Sequence, residues 1–269
     1  MKAGISYNVF NAEEHLLASL RQVRPHVEHI NLIVQFVSYS NNPCSEGLRH
    51  VIHAAKSQGL CDDVIEFRPD FGKSGKLNEL AKRSMGLDVA QRNYCTHFMT
   101  MDCDEYYVAD EFARARAAII ENGIQASAVS TFLHIKRPIW RSKEPDTTYC
   151  SFLTEITDRS RLELNSEYPV GVDPKRRLHG DSSRFHLFDK NEISMRHMNL
   201  VRHDFEAKLA NSSNASKSEF MQQVREEYAR WRFGEVLRFP RKPPMEIIKV
   251  EDIFKIDHLF KDAAESFPT

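Results

Sequence analysis

Apolar and polar positions in the first hundred residues switch repeatedly between a strand-like and a helix-like period. Residues 3–7 form a short, nearly continuous apolar run, the pattern of a buried strand. Asn11 followed three residues later by Glu14 reads as a capping-box variant. Leu16, Leu17, Leu20 and Val23 then fall at helical spacing before Pro25. Residues 29–37, rich in Ile, Leu, Val and Phe, predict the next strand. Asn41-Asn42-Pro43 marks a turn, and a helix is expected over 46–57. A third strand at 64–67, a loop over 68–74 and a helix over 76–90 follow. The fourth strand, 96–101, runs directly into Asp102-Cys103-Asp104-Glu105. Asp110 is expected to cap a helix carrying Phe112, Ala115, Ile119 and Ile120, closed by Gly123.

Repeated βα units of this length imply a mostly parallel sheet with helices on both faces, in which ligands bind beyond the carboxyl ends of the strands. The acidic cluster at 102–105 stands at such an end. The second half is more polar. It predicts long strands at 127–140 and 149–158, strands at 185–187 and 193–198, and a short helix at 204–211. A polar loop at 211–217, a helix at 220–233 and a last strand at 247–250 complete it. There is no internal repeat. The expected organisation is a catalytic unit over 1–215, with a nucleotide-binding half (1–125) and an acceptor-side, metal-completing half (126–215). Residues 216–269 are expected as a C-terminal helix and tail packed on the same domain.

Composition narrows the classes. Of 269 residues, 41% are apolar and 28% charged, with a formal net charge of -1, so no global field draws in nucleic acid or an acidic membrane. No apolar run is long enough to span a bilayer, and the N-terminal residues turn polar too early for a signal peptide. The five cysteines are dispersed, without a CxxC pair, which points to a reduced, cytoplasmic protein. The sequons at Asn211 and Asn214 match by pattern only.

Aspartates two apart at a strand end point the same way. Two carboxylates converging on one point repel each other unless a cation lies between them, and oxygen ligands suit Mg²⁺ or Mn²⁺. A metal-dependent phosphatase also places D-x-D after an apolar strand, but Tyr106 stands where such enzymes carry Thr or Val. A solvated acidic turn is the plain structural alternative.

With these residues placed, the chain resembles a glycosyltransferase of the GT-A fold, similar to family 2 and family-2-like proteins. The resemblance runs through ISYNVFNAEEHLLASL, GKSGKLNELAKRSMG, HFMTMDCDEYY, VDPKRR and MRHMNLVRHDFEAKLANSS, over about residues 3–215. It implies a Rossmann-like, mixed and mostly parallel α/β sheet flanked by helices, with a C-terminal acceptor-side extension. The implied activity moves a sugar from a nucleotide-linked donor, uridine-linked first, to a hydroxyl acceptor: a glycan, a lipid-linked sugar, a protein or a modified nucleic acid. Tyr7, Asn8 and Glu13 are implied at the nucleoside, with the loop from Asp70 to Lys76 beside it. Asp102 and Asp104 are implied on the divalent cation, Asp102 also on the donor, with His197 as third ligand. His203 is a weaker alternative to His197.

Arg202 and Lys208 are candidate phosphate clamps, and the loop at 211–217 a candidate cover for the donor. No good copy of the Glu-Asp pair that supplies a base is present, which leaves Asp173, then Asp181, as candidates to deprotonate the acceptor. Trp140 is a candidate for stacking on an acceptor sugar, and the basic stretches at 136–143, 175–177 and 238–242 would suit a polyanionic acceptor. A domain that has lost turnover but still binds a sugar nucleotide or glycan is the alternative of a different class.

Overall fold

The computed structural model describes residues 1–11, 13–179, 183–212 and 218–260. Its first half is β1 (Ala3–Val9), α1 (Leu16–Val23), β2 (His29–Val34), α2 (Gly47–Ser57), β3 (Asp63–Glu66), α3 (Gly75–Arg92) and β4 (His97–Asp102). Hydrogen bonds join the strands in the order β3–β2–β1–β4, all parallel. Parallel neighbours need a crossover between them, and each helix supplies one. β1 and β2 are buried along nearly their whole length, so neither shows the alternation of a half-exposed strand. Gly86 is what lets α3 lie against β1, since a Cβ there would stand 1.9 Å from Ser6 Oγ.

α1 begins later than its apparent capping box. Asn11 takes up a left-handed conformation (φ 45°), and its side-chain oxygen accepts from the Ser45 backbone N–H at 2.8 Å. The residue that looks like a cap instead ties the opening loop to the segment before α2.

The second half comprises β5 (Glu105–Tyr106), α4 (Ala109–Asn122), β6 (Ala126–Ile135), β7 (Arg137–Ser142), β8 (Cys150–Ser151), β9 (Thr154–Glu155), β10 (Arg161–Leu162), β11 (Leu178–His179), β12 (Phe185–Leu187), β13 (Ser194–Leu200), α5 (Phe205–Ala210), α6 (Ser218–Arg230) and β14 (Ile247–Lys249). A second sheet runs β14–β7–β6–β13–β5, with β6 and β13 parallel. β9 pairs antiparallel with β4 and so extends the first sheet with a strand of the second half.

Two expected strands are corrected. The run over 127–140 is a hairpin: Lys136 has φ 58° and reverses the chain between β6 and β7. Lysine is a poor turn signal, and β6 is buried throughout, so the apolar pattern does not show the break. The run over 149–158 divides into β8, which pairs with β6, and β9, which pairs with β4.

α4 ends on Gly123 in the left-handed conformation, as its sequence predicts. Its N-cap is Val108, however, with Asp110 inside the first turn. The C-terminal segment completes a core on the second sheet. Leu133, Ile135 and Leu200 pack there with Met221, Val224, Tyr228, Trp231 and Leu237, and Trp231 has no exposed surface. Among the described residues, no helix is long and apolar enough to cross a membrane.

Candidate active site

β1 and β4 end side by side, with Asn8 opposite Asp102. β13 brings in His197, which pairs with Leu133 on β6 and with Glu105 on β5. Between the two sheets opens a cleft of about 600 Å³. The first half contributes Phe10, Gln35, Tyr39 and Lys82 to its lining, together with Asp102 and Asp104. From the second half come His197, Arg202, Lys208 and Asp173.

Asp102 is embedded in arginines. Arg83 Nη2 donates to its two oxygens at 2.9 and 3.0 Å, and Arg176 Nη2 donates to Oδ2 at 2.6 Å. Arg83, 1% exposed, also holds Thr100 and Glu79. Glu79 in turn accepts from Lys175, and Arg176 pairs with Glu105. Burial alone would raise the Asp102 pKa, but Arg83 and Arg176 outweigh it and hold the carboxyl well below the usual range. Glu105 is pushed up to about 7 by burial, opposed by Arg176 and reinforced by the charge on Asp102. Lys82 is buried, with Nζ donating to Val9 O and Gln35 Oε1, and burial brings it down to about 7.

None of Glu79, Lys82, Arg83, Lys175 or Arg176 stands out in the sequence as a site residue. The legible signal was Glu79 and Arg83 at i, i+4 beside Lys82, which places all three on one face of α3.

Asp104 is built differently. Its side chain is 3% exposed, and Oδ2 is shared by Arg202 Nη2 and by Lys208 Nζ at 3.0 Å. Oδ1 is buried without a hydrogen-bond partner and lies 3.9 Å from His197 Nε2. Burial lowers the His197 pKa to about 4, against the pull of the Asp104 charge, so near neutral pH the ring carries a free lone pair. For Asp104, burial would raise the pKa, and Lys208, Arg202 and His197 together hold it well below the usual range.

A carboxylate oxygen and an imidazole nitrogen each about 2.1 Å from one ion stand no more than about 4.2 Å apart, so this gap admits a divalent cation. The two groups therefore fit Mn²⁺ or Mg²⁺. Among the described residues no three His, Cys, Asp or Glu side chains gather around such a point, so other ligand positions would fall to a bound molecule and to water. Asp102, expected as a second ligand, lines the same cleft with its side chain 33% exposed, and its oxygens accept from Arg83 and Arg176.

The other expected residues divide. Asn8 and Glu13 line the cleft, and Glu13 Oε1 is buried without a partner. With its amide turned to suit its neighbours, Asn8 accepts from Arg83 at 3.0 Å. Tyr7 does not reach the cleft: it has no exposed surface, and its hydroxyl lies 3.0 Å from Ser19 Oγ in the core. β1 is covered on both faces, so the chain neighbour of a cleft residue turns inward.

Asp70 lies in an exposed turn, where its Oδ1 accepts from the Gly72 N–H, and Lys76 is exposed in the first turn of α3; neither lines the cleft. Asp173 lines the cleft, caps the turn at Pro174–Arg176 by accepting from the Lys175 N–H, and lies 3.4 Å from Lys175 Nζ. Asp181 lies outside the described residues, as does most of the loop at 211–217. His203 also lines the cleft, with its ring stacked on Phe260 at 4.9 Å.

Trp140 is not in the cleft but packs against Trp231 and Phe233. The basic stretches do not form an open groove. Lys136 Nζ donates to Trp231 O, Arg137 pairs with Asp257, Lys143 with Glu246, Arg176 with Asp102 and Lys242 with Asp146.

No protein-family model and no curated protein matches the chain. Among solved structures it is similar to S. aureus TarS, with TM-score 0.36 and 13% identity over 49% of this chain and 22% of that one. It is also similar to S. aureus TarS 1–349 in complex with UDP-GlcNAc, with TM-score 0.34 and 16% identity over 50% of this chain and 35% of that one. A third is glucosyl-3-phosphoglycerate synthase from Mycobacterium tuberculosis in complex with Mn²⁺, UDP and glucosyl-3-phosphoglycerate. Here the TM-score is 0.33 and the identity 12%, over 51% of this chain and 46% of that one. The similarity extends over about half of this chain and over less than half of each of theirs.

Proposed function

We propose that the protein is a glycosyltransferase that moves a sugar from a UDP-linked donor to a hydroxyl acceptor, with a divalent cation held by Asp104 and His197. The observation that carries this reading is the unpartnered, buried Asp104 Oδ1, just beyond the carboxyl end of β4, 3.9 Å from His197 Nε2. A divalent ion held by Asp104 and His197 would supply positive charge against the departing nucleoside diphosphate.

The chain's own groups suit the rest of the donor. Arg202 and Lys208 stand beside Asp104, where their N–H groups can donate to phosphate oxygens. Arg83 and Arg176 keep Asp102 ionised and fixed as an acceptor for a donor hydroxyl. Asn8 and Glu13 line the same cleft beside the end of β1 and suit the nucleoside. Asp173 is the group suited to take the acceptor's proton, because it lines the cleft and its side chain is 36% exposed.

Calorimetric titration with UDP, with and without Mn²⁺, tests this for wild type and Asp104→Ala. Heat that requires both the metal and Asp104 is the expected result. Metal-independent or absent heat in the wild type overturns the reading.

One observation favours a second reading, a binding module without turnover: Asp173 and Asp146, both in the cleft lining, are each paired with a lysine. Release of free sugar from a UDP-sugar in the presence of Mn²⁺ would exclude that module.

A further inference from the structure

The two cations on Asp104 are not equivalent. Arg202 is 6% exposed and has further anchors, since Nη1 donates to Glu14 at 2.9 Å and Nε to Asn199 O at 3.4 Å. It belongs to the wall. Lys208 comes from α5 at the rim, its side chain is 39% exposed, and its ammonium is recorded only against Asp104 among the described residues. Lys208 can leave without stranding another buried charge, and Arg202 cannot.

An ion bound to Asp104 Oδ1 would lie within about 7 Å of the Lys208 ammonium, inside one Debye length at physiological salt. The ammonium would therefore repel the ion while shielding the carboxylate from it. Two groups compete for one buried carboxylate, and one of them is free to move.

Resting on the metal reading above, we propose that Lys208 is a resident counter-ion that competes with the divalent cation for Asp104 and transfers to the donor's diphosphate when the two ligands arrive together. Lys208 then couples the ligands. It weakens the bare ion and strengthens the ion–diphosphate pair, so each ligand raises the affinity of the other by the same factor. Its role is that of a positioning residue whose removal has opposite signs in two binding measurements. A residue serving only the fold would shift both alike, and a simple phosphate clamp would leave the bare ion untouched.

The test is Mn²⁺ binding followed by the spin-resonance signal of the free ion, first without nucleotide and then with saturating UDP, for wild type, Lys208→Gln and Lys208→Arg. Lys208→Gln is expected to bind Mn²⁺ alone about three- to tenfold more tightly than wild type and to gain less from UDP, with the coupling reduced by a similar or larger factor. Lys208→Arg, which keeps the charge, is expected to follow wild type. Thermal unfolding of each variant checks that the fold is intact. Equal or weaker binding of Mn²⁺ alone by Lys208→Gln, with UDP still promoting Mn²⁺ binding in wild type, overturns the counter-ion role and leaves the metal site standing. No Mn²⁺ binding by any variant, with or without UDP, overturns the metal site itself.

Discussion

The surroundings of Asp102 and Asp104 share one motif and one cleft, yet solve the problem of a buried carboxylate in different ways. Around Asp102, Arg83, Arg176 and Lys175 interlock with Glu79, Asp102 and Glu105, so each charge in the group has a near partner. Around Asp104, one oxygen is crowded by two cations and the other is left without a partner beside His197. The first arrangement is closed and holds the cleft together. The second leaves one buried carboxylate oxygen without a hydrogen-bond partner, 3.9 Å from the His197 ring nitrogen.

The largest expected effect breaks the closed side. Arg176→Met leaves buried Glu105 and half-buried Asp102 with one partner fewer, and removing one member of a buried pair such as Arg176–Glu105 costs about 3–5 kcal/mol. Urea unfolding should show that loss, whereas Lys208→Gln, which removes a 39% exposed partner and leaves Arg202 on Asp104, should cost clearly less. Comparable losses in both variants would erase the distinction. Next in size, Asp104→Asn should weaken UDP binding in Mn²⁺ on the order of 100-fold, about 2.8 kcal/mol. An unchanged affinity by calorimetry would remove Asp104 from the donor site.

A smaller effect concerns His134, on β6 but outside this cleft. It is buried, and burial lowers its pKa to about 3 although the bond at Nδ1 to Pro138 O opposes the shift. The folded pKa lies below the unfolded value, so the unfolded chain binds the extra proton. Stability attributed to the neutral ring is complete above about pH 6.5 and is lost as the pH falls toward 3, by up to about 1.4 kcal/mol per pH unit. His134→Asn, followed by denaturant unfolding between pH 7 and 5, should flatten that slope. The smallest effect is expected at the exposed turn and the start of α3: Asp70→Ala and Lys76→Ala should leave UDP affinity within about twofold. A larger loss by calorimetry would extend the donor site onto that loop.

Local pattern accounted for much of the first sheet. The βα alternation, the helix over α3 and the strand ending in Asp102 were legible because buried parallel strands are apolar runs and their connecting helices are periodic. Asn11 and Lys136 show where that legibility stopped. Both stand at positive φ, one within an apparent capping box and the other in the middle of an apparent strand. His197, Arg202 and Lys208 were found as types at the right strand and helix, and the fold gathers them on Asp104. Tyr7 and Trp140 carried chemistry that suited a site, but the packing turned both elsewhere.

The sequence by itself determined the order of strands and helices in the first half, and that an aspartate closes the fourth strand with a second two residues on. Hydrophobic period and side-chain alternation are local properties, readable wherever an element is buried in a regular way. Only the tertiary structure decided which carboxylate is locked and which is open. That depends on Arg83 from α3, on Arg176 from the turn after Asp173, and on Arg202 and Lys208 about a hundred residues further along the chain. Electrostatic partnership is set by distance in space and by burial, and neither is written in the spacing of residues along one strand.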